Sequence, residues 1–494
     1  MSSEMSERIT FSLLRLKRGS IVLSEQQVAA VLSVLRGQDT VVCLPTGHGK
    51  SVIFEVVPWC HEMPDGLGEE GKKAVYSVLI VSPLLSLMDR QVHELVERGQ
   101  SAVRLSSSLP KDIEEAVLSG QVRYLFGSPE CFEERKYRNM LLAPVYQAHL
   151  RAVFVDEAHC VDMWGGGKEP FRKAYQKLGD LRSFLPSSVP FVSLTATAAN
   201  STRRDIIDSL GLFNTVTISE SPNRNNIIYD VQVASEDVSV SFNWIIEELQ
   251  SKGKSTPKTI IFCRSIEACA RLYCYFDVTL QVSGYVEGIV GVSTCLFGMY
   301  HAKITESQKT ALIDSFSASN GNCRVLFATI AFGMGINISD IRRVIHYGPS
   351  KNIEEYVQES GRGGRDGNQC HAVLYTYPGC TRGHVSEEMK GYCKNTDACR
   401  RHTLFRYYPG TFSGPSTLHA CCDICETRCL CACQCQHCTC GGKSPCLACC
   451  LCTTKCSYVA PFPKALVNES RVTEDTEDNI TCLSWNEDDS IFQS

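Results

Sequence analysis

The segment 44–51 (LPTGHGKS) has the residue types that hold a phosphate. Its glycines let the backbone curl, so that N–H groups face an anion at the start of a helix. Lys50 would then reach the β and γ phosphates, and the Ser51 hydroxyl would hold Mg²⁺. The strict pattern has glycine at Leu44, so the context of strand, loop and helix carries this prediction. The predicted nucleotide-binding residues here are Thr46, Gly47, His48, Gly49, Lys50 and Ser51.

Two acidic residues follow the apolar run 151–155 (RAVFV), about 100 residues after Lys50. In open α/β sheets, ligands bind at the carboxyl ends of the strands. Asp156 therefore suits a Mg²⁺ shell, and Glu157 suits polarising a water for in-line attack on a γ phosphate. The sequence predicts a metal and a general base at this strand end.

A third segment, 358–367 (QESGRGGRDG), supplies positive charge. Arg362 and Arg365 lie three residues apart on a glycine-rich turn that follows an apolar strand and a helix. Such a pair can neutralise the charge that develops on a transferred phosphoryl group.

These segments need a scaffold of parallel strands. Through the first 375 residues, β-branched runs that end in Pro, Gly, Ser or Thr alternate with amphipathic segments, as buried parallel strands alternate with helices. The pattern breaks at the polar, turn-rich stretch 220–230 and then resumes, which predicts two α/β domains, and 387–408 is predicted to be helical. Examples of the predicted strand runs are 40–45, 77–83, 151–158, 191–196, 258–263, 324–329 and 343–348.

The composition is that of a globular protein, with 44% apolar and 21% charged residues among 494. Neither an apolar run of about 18 residues nor an apolar signal-peptide core occurs, so we expect an intracellular protein without a membrane partner. The net charge is −5, but residues 467–494 alone carry −7, so the remainder has room for a basic groove. Fourteen of the 28 cysteines lie between Cys421 and Cys456, which in a reducing compartment indicates metal binding rather than disulfides.

In order and spacing, the motifs resemble those of RecQ-type DNA helicases of helicase superfamily 2, in their DEAH form. The resemblance covers roughly residues 20–425. It adds Gln27, 23 residues before Lys50, as an adenine-reading glutamine. The other matching segments are 82–88, 128–130, 156–160, 193–198, 262–265, 300–302, 328–336 and 358–365.

The resemblance implies an α/β fold with two RecA-like parallel-sheet domains in tandem. The implied parts are an N-terminal extension (1–21), the first, ATP-binding domain (22–219), the second (220–380), a small helical zinc-binding domain (381–428), and a Cys-rich, then acidic tail (429–494). The implied catalytic residues are Lys50, Asp156, Glu157, Gln358, Arg362 and Arg365. The implied DNA contacts are Ser82, Ser128, Trp164, Phe171, Arg172, Arg264, His301 and Thr329. The implied coupling residues are His159, Thr195 and Thr197.

One loop departs from the family pattern. Relatives carry Trp-Gly-His-Asp-Phe-Arg, which senses single-stranded DNA and triggers hydrolysis, whereas 164–172 reads WGGGKEPFR. Trp164, Phe171 and Arg172 remain, and stacking of aromatic rings on bases contributes about 1–3 kcal/mol per base whatever the base. DNA sensing is therefore compatible with this loop, although the His-Asp pair is replaced.

The family's zinc site takes one cysteine from a helix that begins Cys-Arg-Arg and three from Cys-x-x-Cys-Asp-x-Cys. Cys399, Cys422 and Cys425 match, and His419 stands at the fourth position. A Cys₃His set is a good tetrahedral zinc shell, so these four are the predicted ligands. Cys421 is the alternative to His419, ranked second because adjacent residues rarely turn both side chains to one ion.

The resemblance implies an ATP-dependent 3′-to-5′ helicase that uses ATP, Mg²⁺ and Zn²⁺ and serves DNA repair and recombination in the nucleus. Its implied partners are single-stranded and duplex DNA, and the sequence identifies no protein partner. ATP would be contacted by Lys50 from one domain and Arg365 from the other. Two alternatives stay open: an RNA-directed helicase of the same superfamily, and a DNA-binding scaffold with a silent motor. A third reading, a metal-buffering protein, fits residues 421–456 alone and explains nothing upstream of them.

Overall fold

The structure, a computed structural model, describes residues 3–62, 75–161, 173–291, 293–329, 338–409, 414, 420–428 and 462. By its internal contacts the chain divides into two units. The first comprises Met1–Asn225, Glu354–Gly361 and Arg401–Gly414, and the second comprises Asn226–Ile353, Arg362–Arg400 and Pro415–Ser494.

The first unit is built on seven short apolar strands. They are β1 (Thr40–Cys43), β2 (Ser77–Val81), β3 (Ala102–Arg104), β4 (Tyr124–Gly127), β5 (Leu150–Val155), β6 (Phe191–Thr195) and β7 (Val216–Ser219). They form one sheet of order β3-β4-β2-β5-β6-β1-β7, in which neighbouring strands are parallel. Because parallel strands end at the same edge, the loops after β1, β5 and β6 meet there.

Helices cover this sheet through their apolar faces. They are α1 (Ser3–Arg15), α2 (Glu25–Leu35), α3 (Ser51–Cys60), α4 (Leu85–Glu97), α5 (Lys111–Leu118), α6 (Arg135–Leu142), α7 (Pro144–His149) and α8 (Asn200–Leu210), with 3₁₀ turns at Pro129–Glu133 and Lys173–Phe184. The predicted N-terminal extension contributes α1, whose Ile9 and Leu13 are buried in the core of this unit. Arg8 on α1 donates to the Cys60 carbonyl oxygen at 3.1 Å, which fixes α1 against the end of α3.

The second unit repeats the architecture with six strands. They are β8 (Ile227–Val233), β9 (Thr259–Cys263), β10 (Phe297–Tyr300), β11 (Val325–Ala328), β12 (Arg343–Tyr347) and β13 (Cys370–Thr376). Their order is β10-β11-β9-β12-β13-β8, again with parallel neighbours. The remaining helices are α9 (Val238–Lys252), α10 (Ile266–Leu280), α11 (Glu306–Ser317), α12 (Ile353–Ser360), α13 (Glu387–Lys394), α14 (Arg400–Phe405) and α15 (Asp423–Arg428), with 3₁₀ turns at Gly253–Ser255, Gln281–Gly284 and Val286–Gly288. Apart from their first residues, α12 and α14 belong to the first unit.

The predicted fold class, two parallel-sheet α/β domains in tandem, is confirmed, and every predicted run contains a strand. The stretch 220–230, predicted to be turns, contains the start of β8. The predicted helix 387–408 is two helices, because Asn395 turns the chain between them: its Oδ1 accepts from Ala398 N at 2.9 Å, and its Nδ2 donates to the Ala398 carbonyl oxygen at 2.7 Å. Among the described residues, no helix combines the length and apolarity needed to cross a membrane.

Candidate nucleotide and metal sites

The loop between β1 and α3 turns back on itself in front of the helix. Gly47 and Gly49 have φ of 89° and 63°, which glycine adopts without strain. Lys50 directly precedes α3, and its Nζ donates to the Leu44 carbonyl oxygen at 2.9 Å. The loop thus presents curled backbone and an ammonium group at a helix N-terminus, a combination that suits a phosphate.

Gln27 ties this loop to α2. Ser24 and Gln27 form a reciprocal capping box at the start of α2, in which the Gln27 Oε1 accepts from Ser24 N at 2.8 Å. The Nε2 of Gln27 donates to the carbonyl oxygens of His48 (2.8 Å) and Gly49 (3.1 Å). A Cβ at Gly49 would lie 2.9 Å from that Nε2, so a larger residue would displace the Gln27 amide. Gln27 therefore lies against the loop, and its reading of adenine stays a prediction.

Sequence reasoning missed Glu220, which holds the tip of the loop. Its Oε2 lies 3.1 Å from Nδ1 of His48, and both side chains are partly exposed. Glu220 directly follows β7, the strand that pairs with β1. The sequence does carry a signal for Glu220: it is an acidic residue directly after the run VTIS, so it lies at the same sheet edge as the loop.

Asp156 and Glu157 follow β5 at this edge. Asp156 is buried, and burial together with the negative charge of Glu157 raises its pKa to about 6, against the smaller opposing effect of Lys50. Glu157 has φ of 49°, and its Oε2 is buried 3.5 Å from Nδ1 of His159. Gln91 on α4, which the sequence analysis did not predict, lies near the Asp156 carboxyl group and slightly opposes this rise in its pKa. Two carboxylates thus share a poorly solvated pocket, which favours a divalent cation.

Replacing Asp156 with asparagine is expected to stabilise the metal-free protein above pH 6 and to remove ATP hydrolysis. The pKa of Asp156 is raised on folding, so the folded state binds the extra proton and loses stability as pH rises from about 4 to 6. Asparagine carries no charge and lacks this loss. The free energy of unfolding of the variant at pH 7.5 should therefore exceed that of the parent by on the order of 2 kcal/mol. Denaturant unfolding at pH 5 and pH 7.5 without metal measures it, with exposed Asp208→Asn as the control. An asparagine variant less stable at pH 7.5 than the parent would contradict this reading.

A line of polar contacts leads from Glu157 to α12. His159 Nδ1 lies 3.1 Å from the Thr195 hydroxyl, which donates to the Thr197 carbonyl oxygen at 2.9 Å. The Gln358 Nε2 on α12 lies 3.4 Å from His159 Nε2. Because Thr195 gives its proton to Thr197, the pattern assigns the His159 proton to Nδ1, and Nε2 then accepts from Gln358. The structure therefore brings together the predicted coupling residues His159, Thr195 and Thr197 with Gln358.

The glycine-rich turn after α12 is closely packed within the second unit. A Cβ at Gly363 would lie 2.0 Å from the Cys370 Sγ, so only glycine fits there. Asn226 Nδ2 donates to the Gly364 carbonyl oxygen at 2.7 Å. Arg362 is buried and Arg365 is half-buried. The packing fixes the backbone that carries both arginines.

The predicted DNA-contacting residues differ in exposure. Ser82 and His301 are buried, and burial followed by the charge of Lys303 lowers the pKa of His301. Ser128 and Thr329 are half-buried at the ends of β4 and β11. Arg264 is exposed, and its guanidinium donates to the carbonyl oxygens of Cys380 and Arg382. Trp164, Phe171 and Arg172 lie outside the described residues.

Four cysteine thiols converge near the C-terminal end of the described chain. The Sγ atoms of Cys399, Cys421, Cys422 and Cys425 all lie within 4.8 Å of one another. Zn–S bonds of about 2.3 Å place tetrahedral ligands about 3.8 Å apart, so this donor set fits zinc. Three predicted ligands belong to the cluster, and Cys421 is its fourth member; His419 lies outside the described residues. The side chains of the adjacent residues Cys421 and Cys422 both face the cluster. From the sequence, Cys421 ranks second to His419 as the fourth ligand.

An ion pair that the sequence analysis missed supports the thiol cluster. Arg400 Nε and Nη2 donate to the carboxylate of Asp423 at 2.8 Å each, and these residues flank Cys399 and Cys422. The Cys421 carbonyl oxygen accepts from Tyr229 N at 3.4 Å, which attaches the cluster to β8. Burial, followed by the neighbouring Cys422, raises the pKa of Cys425 to about 12, so the Cys425 thiol holds its proton in the absence of metal. A bound cation would deprotonate it.

Replacing Cys421 with serine is expected to lower zinc affinity at least tenfold, because it removes one of four converging thiolates. The measurement is competition against a chromogenic chelator with purified protein. Cys380→Ser is the control, since Cys380 is a buried thiol outside the cluster. If His419→Ala instead reduces affinity and Cys421→Ser does not, the Cys₃His set predicted from spacing is the correct one.

Two family models match this chain: "DEAD/DEAH box helicase" over residues 24–206 and "Helicase conserved C-terminal domain" over residues 241–367. The ATP-dependent DNA helicase hus2/rqh1 of Schizosaccharomyces pombe is 30% identical over 431 residues, which cover 81% of this chain and 30% of that protein. The ATP-dependent DNA helicase RecQ of Pasteurella multocida is 33% identical over 361 residues, which cover 71% of this chain and 50% of that protein. The chain thus spans half or less of these two relatives.

Among solved structures, the DUF1998 helicase MrfA bound to DNA superimposes with a TM-score of 0.58 at 15% identity, over 85% of this chain and 53% of that one. At this identity the likeness shows the fold alone. The helicase models, the RecQ-type relatives and the order of the motifs along the two parallel-sheet units agree with one another. The chain belongs to the RecQ-type helicases of superfamily 2.

Proposed function

We propose that this chain is an ATP-dependent DNA helicase that moves 3′ to 5′ along single-stranded DNA and unwinds duplex DNA, in repair and recombination. The observation that carries the proposal is the line of contacts from Glu157 through His159 to Gln358 on α12. It joins a candidate general base to the helix that leads into the arginine turn. A scaffold with a silent motor has no need of such a connection.

Lys50, Ser51, Asp156 and Gln27 would hold the nucleotide and its metal. Lys50 would exchange its bond to the Leu44 carbonyl oxygen for the β and γ phosphates, and Ser51 and Asp156 would hold Mg²⁺. The Mg²⁺ ion supplies charge neutralisation on the phosphates. Glu157 would accept a proton from the attacking water, and Arg362 and Arg365 would stabilise negative charge in the transition state.

Phosphate contacts from Ser128, Arg264 and Thr329 would hold single-stranded DNA, with Trp164 and Phe171 stacking on bases. Opening DNA costs about 1.4 kcal/mol per base-pair step, so one ATP for each nucleotide step is ample. We propose that Zn²⁺ is held by the thiol cluster as a structural ion of the 381–428 domain, and that the protein acts in the nucleus, where its DNA substrate lies. Both relatives are named DNA helicases, which supports DNA over RNA as the substrate.

The test is ATP hydrolysis by the purified chain with Mg²⁺, alone, with single-stranded DNA, and with RNA of the same sequence. We expect DNA to raise the rate about tenfold or more and RNA to raise it far less. Stimulation by RNA alone would favour the RNA-directed alternative. No hydrolysis under any condition would favour the silent scaffold.

A further inference from the structure

Helix α8 begins without a side-chain cap of its own. Its N-cap residue is Ala199, and the first N–H groups of any helix need acceptors from elsewhere. The Asn200 N donates to the Tyr407 carbonyl oxygen at 3.1 Å, and the Ala199 N donates to the Glu354 Oε1 at 2.5 Å. A residue distant in sequence therefore caps the helix that follows Thr195–Ala198.

Glu354 makes this cap with its whole carboxylate. Both of its oxygens lie 2.8 Å from the hydroxyl of Thr202, which is buried in the first turn of α8. A negative charge at a helix N-terminus is also stabilised by the helix dipole. The carboxylate thus fixes α12, on which Glu354 lies, to the start of α8.

Gln358 lies four residues after Glu354 on the same face of α12, because residues i and i+4 of a helix are neighbours. Its amide contacts His159, which contacts Thr195 and Glu157. Thr195 ends β6, and residues 196–199 lead directly into α8. The contacts form a closed ring: Glu354 to α8, α8 back to Thr195, Thr195 to His159, and His159 to Gln358, one turn along α12.

We propose that Glu354 is a positioning residue for ATP hydrolysis: its bonds to Ala199 and Thr202 set the register of α12, so that Gln358 lies against His159. The inference rests on the proposed function and deepens it. Without the carboxylate, α12 loses this attachment to the start of α8, and the Gln358 amide no longer has a fixed distance to His159. The effect falls on turnover and not on ATP binding, since Lys50 and Gln27 bind the phosphate loop without using Glu354.

The test compares kcat and KM of DNA-stimulated hydrolysis in Glu354→Ala, Glu354→Gln, Gln358→Ala and the double variant Glu354→Ala/Gln358→Ala. We expect Glu354→Ala to lower kcat about tenfold with little change in KM, because a misplaced group costs rate more than binding. Glu354→Gln should recover much of the rate, since its amide oxygen can still accept from Ala199 or Thr202. In the Gln358→Ala background, Glu354→Ala should cause little further loss, because the two residues act through one contact.

A merely structural role would give a different pattern. Losses that multiply in the double variant, or that change KM as much as kcat, would overturn the proposal, as would a Glu354→Ala protein with the parent's kcat. If Glu354→Ala does not fold, Thr202→Val, which removes the hydroxyl that both Glu354 oxygens contact, gives the same comparison with Gln358→Ala. An inactive parent protein would overturn the proposed function and this inference together, whereas an active parent with unaffected variants would overturn this inference alone.

Discussion

Lys50→Ala is expected to lower ATP hydrolysis about 100-fold or more, with and without DNA. The ammonium group at the start of α3 is the fixed positive charge that would face the β and γ phosphates, and removing one such group from a preorganised site typically costs 10²–10³-fold in rate. The measurement is steady-state phosphate release at saturating ATP.

The chain offers a matched control for this variant. Gly442-Lys443-Ser444 repeats the Gly-Lys-Ser sequence without a preceding apolar run. Lys443→Ala should therefore keep the full rate. Retention of more than about a tenth of the rate in Lys50→Ala would show that the nucleotide is held elsewhere.

Glu157→Gln is expected to stop turnover while leaving ATP binding intact. The amide keeps the size and shape of the carboxylate but cannot take the proton of the attacking water, a loss that typically costs 10²–10⁴-fold. Binding of a fluorescent ATP analogue with Mg²⁺ and single-turnover hydrolysis separate the two effects. Glu267→Gln, at an exposed position of α10, serves as the control.

If Glu157→Gln also loses nucleotide binding, then Glu157 belongs to the metal shell and is not the base. In that case Asp156 cannot be the only carboxylate that holds the cation. The contact of Glu157 with His159 would then support metal binding rather than proton transfer.

The strands were predictable because burial on both faces requires continuous apolar runs, such as 77–83 around β2. β3 has only three residues, and β7 is partly exposed, so neither leaves such a run. β8 was hidden by the polar residues that precede Ile227. The sequence thus predicts the interior strands of each sheet better than its edges.

The residues of the candidate site likewise fall into those that the sequence predicts and those that it does not. Lys50, Asp156 and Glu157 were predictable because each stands next to an apolar run that fixes its place at the sheet edge. Glu220, Gln91 and Glu354 act through contacts between segments distant in sequence, and no local pattern marks such contacts.

The thiol cluster was predictable in part. Spacing predicted Cys399, Cys422 and Cys425, but the orientation of Cys421 depends on the backbone that β8 holds in place. Adjacent side chains diverge in regular helices and strands, whereas Cys421 lies in the turn before α15 and escapes that rule.

The most direct test of the account is strand displacement on a DNA duplex with a single-stranded 3′ tail, followed with a fluorophore and quencher at the blunt end. We predict ATP-dependent separation that is lost in Lys50→Ala, absent on the same duplex with a 5′ tail, and absent on an all-RNA duplex with a 3′ tail. Separation of the RNA duplex alone, or hydrolysis of ATP without any strand separation, would contradict a DNA helicase.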